Sequence, residues 1–133
     1  MFDLKKIENG TTNVGEPYVY PVESGTAVGV GQALVFSAGE LVTASGTTKP
    51  EYISVGKVGA TDENRDVAVI RVAPDQVYEV SITAAPTSLK VGSKVTISPD
   101  GAEVTATTTD GVATVVNLCG ATAVGDRILV RFA

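Results

Sequence analysis

Apolar and polar residues alternate along most of this chain with a period of two. In "KVTISP", Val95 and Ile97 point one way and Lys94 and Thr96 the other. In "RILVRF", Ile128, Val130 and Phe132 share a face opposite Arg127 and Arg131, and in "YEVSI" Tyr78, Val80 and Ile82 align. This is the signature of strands with one buried face, and helical spacing is hard to find. Turn formers bound the runs: "SPDG" at 98–101, "TDG" at 109–111 and "SAG" at 37–39. Proline presets φ, aspartate bonds back to the backbone, and glycine takes the positive φ. About ten short strands joined this way predict an all-β fold, a small barrel or a sandwich.

The pattern also repeats. Thr26 and Thr87, Val30 and Val91, Gly31 and Gly92, and Ser37 and Ser98 match at an offset of 61. The later turn is one residue longer, so Val42-Thr43-Ala44 aligns with Val104-Thr105-Ala106. The offset of 61 then returns for Gly59-Ala60-Thr61 against Gly120-Ala121-Thr122, and "AVIRV" parallels "ILVRF". Hairpins reuse Val, Thr and Gly by convergence, but so many matches in one order point to two similarly folded halves. Two copies are too few for a solenoid. The expectation is one barrel or sandwich with pseudo-repeats over about 26–72 and 87–132, related by a pseudo-twofold, and an extra strand within 73–83.

At 133 residues the chain has the size of one domain. Residues 1–16 read as an N-terminal arm, because "ENGTTNVGEP" is polar and rich in turn formers. Residues 17–133 then form a single β domain. Hydrophobic residues make up 44%, mostly Val and Ala, and small side chains suit closely packed sheets. The net charge of −5 and the absence of a Lys/Arg cluster argue against direct nucleic-acid binding. No run approaches the length of a membrane span, and the charged start does not resemble a secretory signal. The lone Cys119, in the apolar run "VVNLCGA", is expected to be a small buried hydrophobe.

Candidate chemistry is sparse. The chain has no histidine, so no Ser–His or Cys–His pair and no imidazole metal site can form. "DENRD" spaces Asp62, Asn64 and Asp66 like the opening of a calcium loop, but Val67 stands where that loop needs glycine and Ala73 where it needs glutamate. "GVGQAL" keeps two glycines of a dinucleotide fingerprint without a following helix. "NGT" at 9–11 fits a glycosylation acceptor, with nothing else to suggest secretion. A non-enzymatic protein without metal or cofactor is the expectation.

Taken together, "GTAVGVGQALVFSAGELVTASGTTKPEYISVGKV", "DVAVIRVAPDQVYEVSIT" and "VGSKVTISPDGAEVTATTTDGVATVV…VGDRILVRF" resemble the small head decoration proteins of tailed bacteriophages and prophages. The resemblance runs from about Tyr18 onward and rests on the order and style of segments. It implies a structural virion protein that binds the outer surface of the capsid, through the major capsid protein of its own phage. It further implies a trimer that stabilises the shell. In several such proteins an N-terminal arm engages the shell, which makes Phe2, Leu4, Tyr18 and Tyr20 the candidate partner-binding residues. Rival readings are a carbohydrate- or cell-surface-binding module, for which the tyrosines look too scattered, and a tail-tube or head–tail joining subunit.

Overall fold

A computed structural model describes residues 1–8 and 17–133. Its ten strands are all antiparallel and form two five-stranded sheets. The first sheet has the order β2 (Tyr18–Pro21), β6 (Asp66–Arg71), β5 (Tyr52–Ser54), β3 (Ala33–Ser37), β4 (Glu40–Thr43). The second has the order β1 (Asp3–Ile7), β7 (Gln76–Ser81), β10 (Arg127–Arg131), β9 (Ala113–Asn117), β8 (Lys94–Val95). Each sheet curls without closing. The chain leaving β2 bridges β4 in parallel at Val22 and Leu41, and the chain leaving β7 bridges Val104 in parallel at Ile82. The result is a sandwich and not a barrel.

The repeat is visible in the pairing. In the first sheet Tyr18 opposes Val69, Tyr52 opposes Leu34, and Ser54 opposes Val69. In the second, Tyr78 opposes Val130, Ala113 opposes Val95, and Val115 opposes Val130. Val69 thus corresponds to Val130, Tyr52 to Ala113, and Tyr18 to Tyr78. The repeats therefore begin earlier than the sequence matches suggest. Strand β7 is not an extra strand between the halves; it opens the second half as β2 opens the first. One sequence match also slips. Leu41 accepts from the Glu23 N–H and Val104 from the Thr83 N–H, so Val104 stands in the place of Leu41, not of Val42. A slip of one residue exchanges the two faces of a strand, which only the pairing partner can reveal.

The halves are not related by a twofold axis. The large buried cluster joins Tyr78, Val80, Val95, Val115, Ile128, Val130 and Phe132 of the second sheet to Ala33, Ala44 and Ile53 of the first, with Val35, Ile70 and Val72 packed alongside. Ala33 and Ile53 correspond to Lys94 and Thr114, which lie on the opposite face of the second sheet. The inner face of the second sheet therefore rests on the back of the first. A twofold would bring matching faces together; here different faces meet, head to tail. The other face of the first sheet keeps a small core of its own: Val22, Leu34, Leu41, Val67 and Val69, roofed by Val28 and Val58 from the loops.

Residues 2–7 do not form a free arm. Phe2 is 3% exposed and packs against Tyr78 and Phe132, with ring centroids 6.3 and 5.2 Å away. The Phe2 N–H donates to the Gly31 carbonyl, and β1 pairs along β7 with a bulge between Leu4 and Lys6. Gly31 has φ +75°, and a Cβ there would meet the Phe2 carbonyl and the Met1 side chain, so the docking of this segment requires glycine. The remainder of the expected arm, residues 9–16, lies outside the described residues, as does the "NGT" sequon.

Candidate functional site

The prominent surface feature was not legible from spacing. Strands β2, β3 and β5 carry Tyr18, Tyr20, Phe36 and Tyr52 onto one face of the first sheet, where their rings meet. In the sequence these residues are up to 34 positions apart, since 52 − 18 = 34. Pairing unites them: Tyr18 and Tyr20 oppose Val69 and Val67 on β6, Tyr52 and Leu34 are partners, and Phe36 lies two residues beyond Leu34. Tyr18 stacks on Tyr20 at 5.8 Å with 9° between the planes. Tyr20, Phe36 and Tyr52 meet edge to face, with centroids 4.9 to 5.5 Å apart. Tyr18 is 45% exposed, and the other three rings are half-buried.

Charge rims the patch. Arg71 is the direct partner of Tyr52 on β6, and a shallow cleft of about 240 Å³ beside Tyr52 is lined by Lys49, Pro50, Glu51, Arg71 and Val72. The Tyr52 hydroxyl titrates above its ordinary range because it is partly shielded from water, bonds Tyr20 and lies near the Glu51 carboxylate. At neutral pH the Tyr52 phenol is therefore neutral, and the tyrosines offer amphipathic contact surface.

The expected partner-binding residues divide. Tyr18 and Tyr20 belong to this aromatic face. Phe2 is buried in the core, and Leu4 is half-buried beside it, so in this conformation Phe2 offers nothing to a partner. β1 is not a free arm for strand addition: one of its edges is paired along β7, and its outer edge is unpaired among the described residues. The outer edge of β2 is guarded instead. The Val55 N–H donates to the Ala68 carbonyl, so Ala68 faces β5 and Val67 and Val69 face β2. Tyr18 and Tyr20 consequently turn their backbone groups inward, leaving Pro17, Val19 and Pro21 on the outer edge with a single N–H among them. Proline on an edge is a known barrier to further pairing.

Two further expectations meet local geometry. Cys119 is exposed, not buried; it sits in a turn at φ +55°, and its N–H donates to Asn117 Oδ1. Its counterpart at the offset of 61 is Val58, which roofs the small core of the first sheet. In the second half that face is covered by the first sheet, and Cys119 is left outside. In "DENRD", Asp62 Oδ2 accepts from the Gly59 N–H and Asn64 Oδ1 from the Asp66 N–H, while the Arg65 guanidinium bonds the carbonyls of Glu23, Thr26 and Gly59. These side chains fasten the loops of the first half to one another.

No protein-family model matches the chain, and neither does any curated protein. Among solved structures the fold recurs. It is similar to the crystal structure of the head fiber gp8.5 N base in bacteriophage phi29, with a TM-score of 0.59 at 19% identity. The match covers 88% of this chain and 94% of that one. At this identity the likeness is one of fold, and it spans nearly all of both chains.

Proposed function

We propose that this protein is a non-enzymatic structural component of a phage virion that binds the outer surface of the capsid and stabilises it. The observation that carries this reading is the fold shared over nearly the whole chain with the base of a phage head fiber. The sequence resemblance to head decoration proteins supports it from an independent direction. A stack of two curled sheets without a twofold suits the role, since it presents two chemically different surfaces. Many weak attachments over a shell gain from multivalency, so one subunit needs little contact area. A trimer on the capsid belongs to the same proposal.

The test is co-sedimentation with expanded capsids of the cognate phage prepared without this protein, with unexpanded shells alongside. Saturable binding to expanded shells and a rise in their melting temperature are expected. Binding to neither shell would overturn the proposal. Sedimentation velocity of the free protein, compared with the stoichiometry on the shell, tests the trimer.

A further inference from the structure

The internal repeat shows what kind of layer the aromatic face is built to receive. In the second half, the face holding Tyr78, Val80, Ile97 and Ala113 is at most 1% exposed, because the back of the first sheet lies on it. The first sheet's share of that covering layer is small and aliphatic (Ala33, Val35, Ile53, Ile70 and Val72), and Phe2 adds one aromatic ring over Tyr78 and Phe132. In the first half the positions that correspond to Tyr78, Val80, Ile97 and Ala113 are Tyr18, Tyr20, Phe36 and Tyr52, and among the described residues only the loop valines 28 and 58 roof that face, at its far side. The change is largest where the open face meets solvent, while Val95, Ile128 and Val130 keep aliphatic counterparts in Leu34, Val67 and Val69. Phe132 in the covered face becomes Arg71 at the rim of the open one, and aliphatic Val80 becomes Tyr20. Tyrosine and arginine are the side chains that dominate reversible interfaces, with an apolar body and a polar tip that tolerates water before docking.

We infer that the Tyr18–Tyr20–Phe36–Tyr52 face is the surface that docks on a different protein, receiving an aliphatic surface as the second sheet receives the back of the first. This rests on the proposed capsid binding, and it makes the capsid shell the occupant. A second copy does not fit by the same head-to-tail rule. The back of the second sheet, which such a copy would offer, carries Lys94, Glu79, Arg127 and Arg131, with Arg127 bonded to Glu79 at 2.8 Å. Docking that face on the tyrosines would strip water from Lys94 and from the Arg127–Glu79 and Arg131–Glu8 pairs, and the four rings offer no charge in compensation. A sugar fits less well too. Edge-to-face packing occupies the ring faces of Tyr20, Phe36 and Tyr52 against one another, and the neighbouring cleft is smaller than usual ligand pockets of roughly 300 Å³ or more. On the side of the sheet where Tyr18 and Tyr20 lie, the β2 edge is guarded by its prolines, which leaves the ring face as the contact surface there.

The experiment compares Tyr18→Ala/Tyr52→Glu, the milder Tyr18→Ser, and Lys94→Glu on the opposite face, each checked for folding by circular dichroism and thermal melting. Binding to capsids lacking the protein is measured for all four forms, wild type included. The expected result is weakening of at least about thirtyfold in the double variant, as for loss of an interface hot spot. Tyr18→Ser should weaken binding to a lesser degree, and Lys94→Glu should bind as wild type. Wild-type binding with folded tyrosine variants unaffected would overturn the inference and leave the capsid reading standing. Absence of wild-type binding would overturn both. Two controls name the other occupants: retention of a glycan that Tyr18→Ser abolishes, or self-association in sedimentation that the double variant abolishes, would each assign the face elsewhere and overturn the inference.

Discussion

Tyr18 and Tyr78 occupy the same place in two copies of one strand arrangement, yet the first is 45% exposed and the second is fully buried. Strand β1 runs along the side of β7 away from β10 and Phe2 packs on the Tyr78 ring; among the described residues no strand runs along the side of β2 away from β6. The Tyr78 hydroxyl, cut off from water, donates to Gln76 Oε1 at 2.8 Å, and burial pushes its pKa well above the usual phenol range. The same residue type at the same topological address thus serves as core in one half and as surface in the other. A repeat fixes the hydrogen-bond ladder, and the layers stacked on it decide what each position means.

That contrast can be broken most directly by truncation. Tyr78→Ala and Phe2→Ala should each cost about 3–5 kcal/mol of folding stability, the usual range for a buried aromatic, whereas Tyr18→Ala should cost under about 1 kcal/mol. Urea denaturation of the three variants checks this; equal losses at positions 18 and 78 would show that the halves are covered alike. A smaller effect concerns the thiol. Cys119 in the native protein should react with a thiol reagent as fast as an unfolded cysteine, while Cys119→Ser/Val58→Cys should react only through opening of the fold. Slow native labelling of Cys119 would place it inside. The smallest effect is acid sensitivity. Asp100 is held below the ordinary carboxylate range by the Ser98 hydroxyl, at 2.5 Å, and by the Ala102 N–H. Its folded pKa lies below its unfolded one, so its contribution is complete above the unfolded value and is lost as the pH falls through the folded value. Melting temperature followed from about pH 6 down to about pH 2 should fall less steeply in Asp100→Asn than in wild type. Parallel curves would remove this turn from the account.

Several residues sit where their local sequence context does not place them. Cys119 was expected inside because its run is apolar, yet an apolar run does not say whether the chain beyond a strand folds over its own sheet or away from it. Phe2 was expected outside because a polar stretch follows it, yet polarity at 9–16 does not prevent the preceding residues from pairing. Tyr18, Tyr20 and Tyr52 looked scattered because distance along the chain was the available measure, and antiparallel registry is what joins them. Even the strongest sequence match, Val42-Thr43-Ala44 with Val104-Thr105-Ala106, proved one residue out of step with the pairing.

The sequence by itself determined the all-β class, the number of strands, the turns and the existence of two halves, because period-two alternation and turn chemistry are local properties of a short stretch of chain. Strand order, the head-to-tail contact of the halves, the burial of Phe2 and the gathering of four rings on one face were decided only in the tertiary structure. These depend on which faces meet, and alternating patterns on two sheets are satisfied by several stackings. The choice among them is made by side-chain fit across the interface: Ala33, Ile53 and Ile70 are small and aliphatic enough to lie on Tyr78 and Phe132, and Lys94, Thr114 and Arg131, their counterparts, are not.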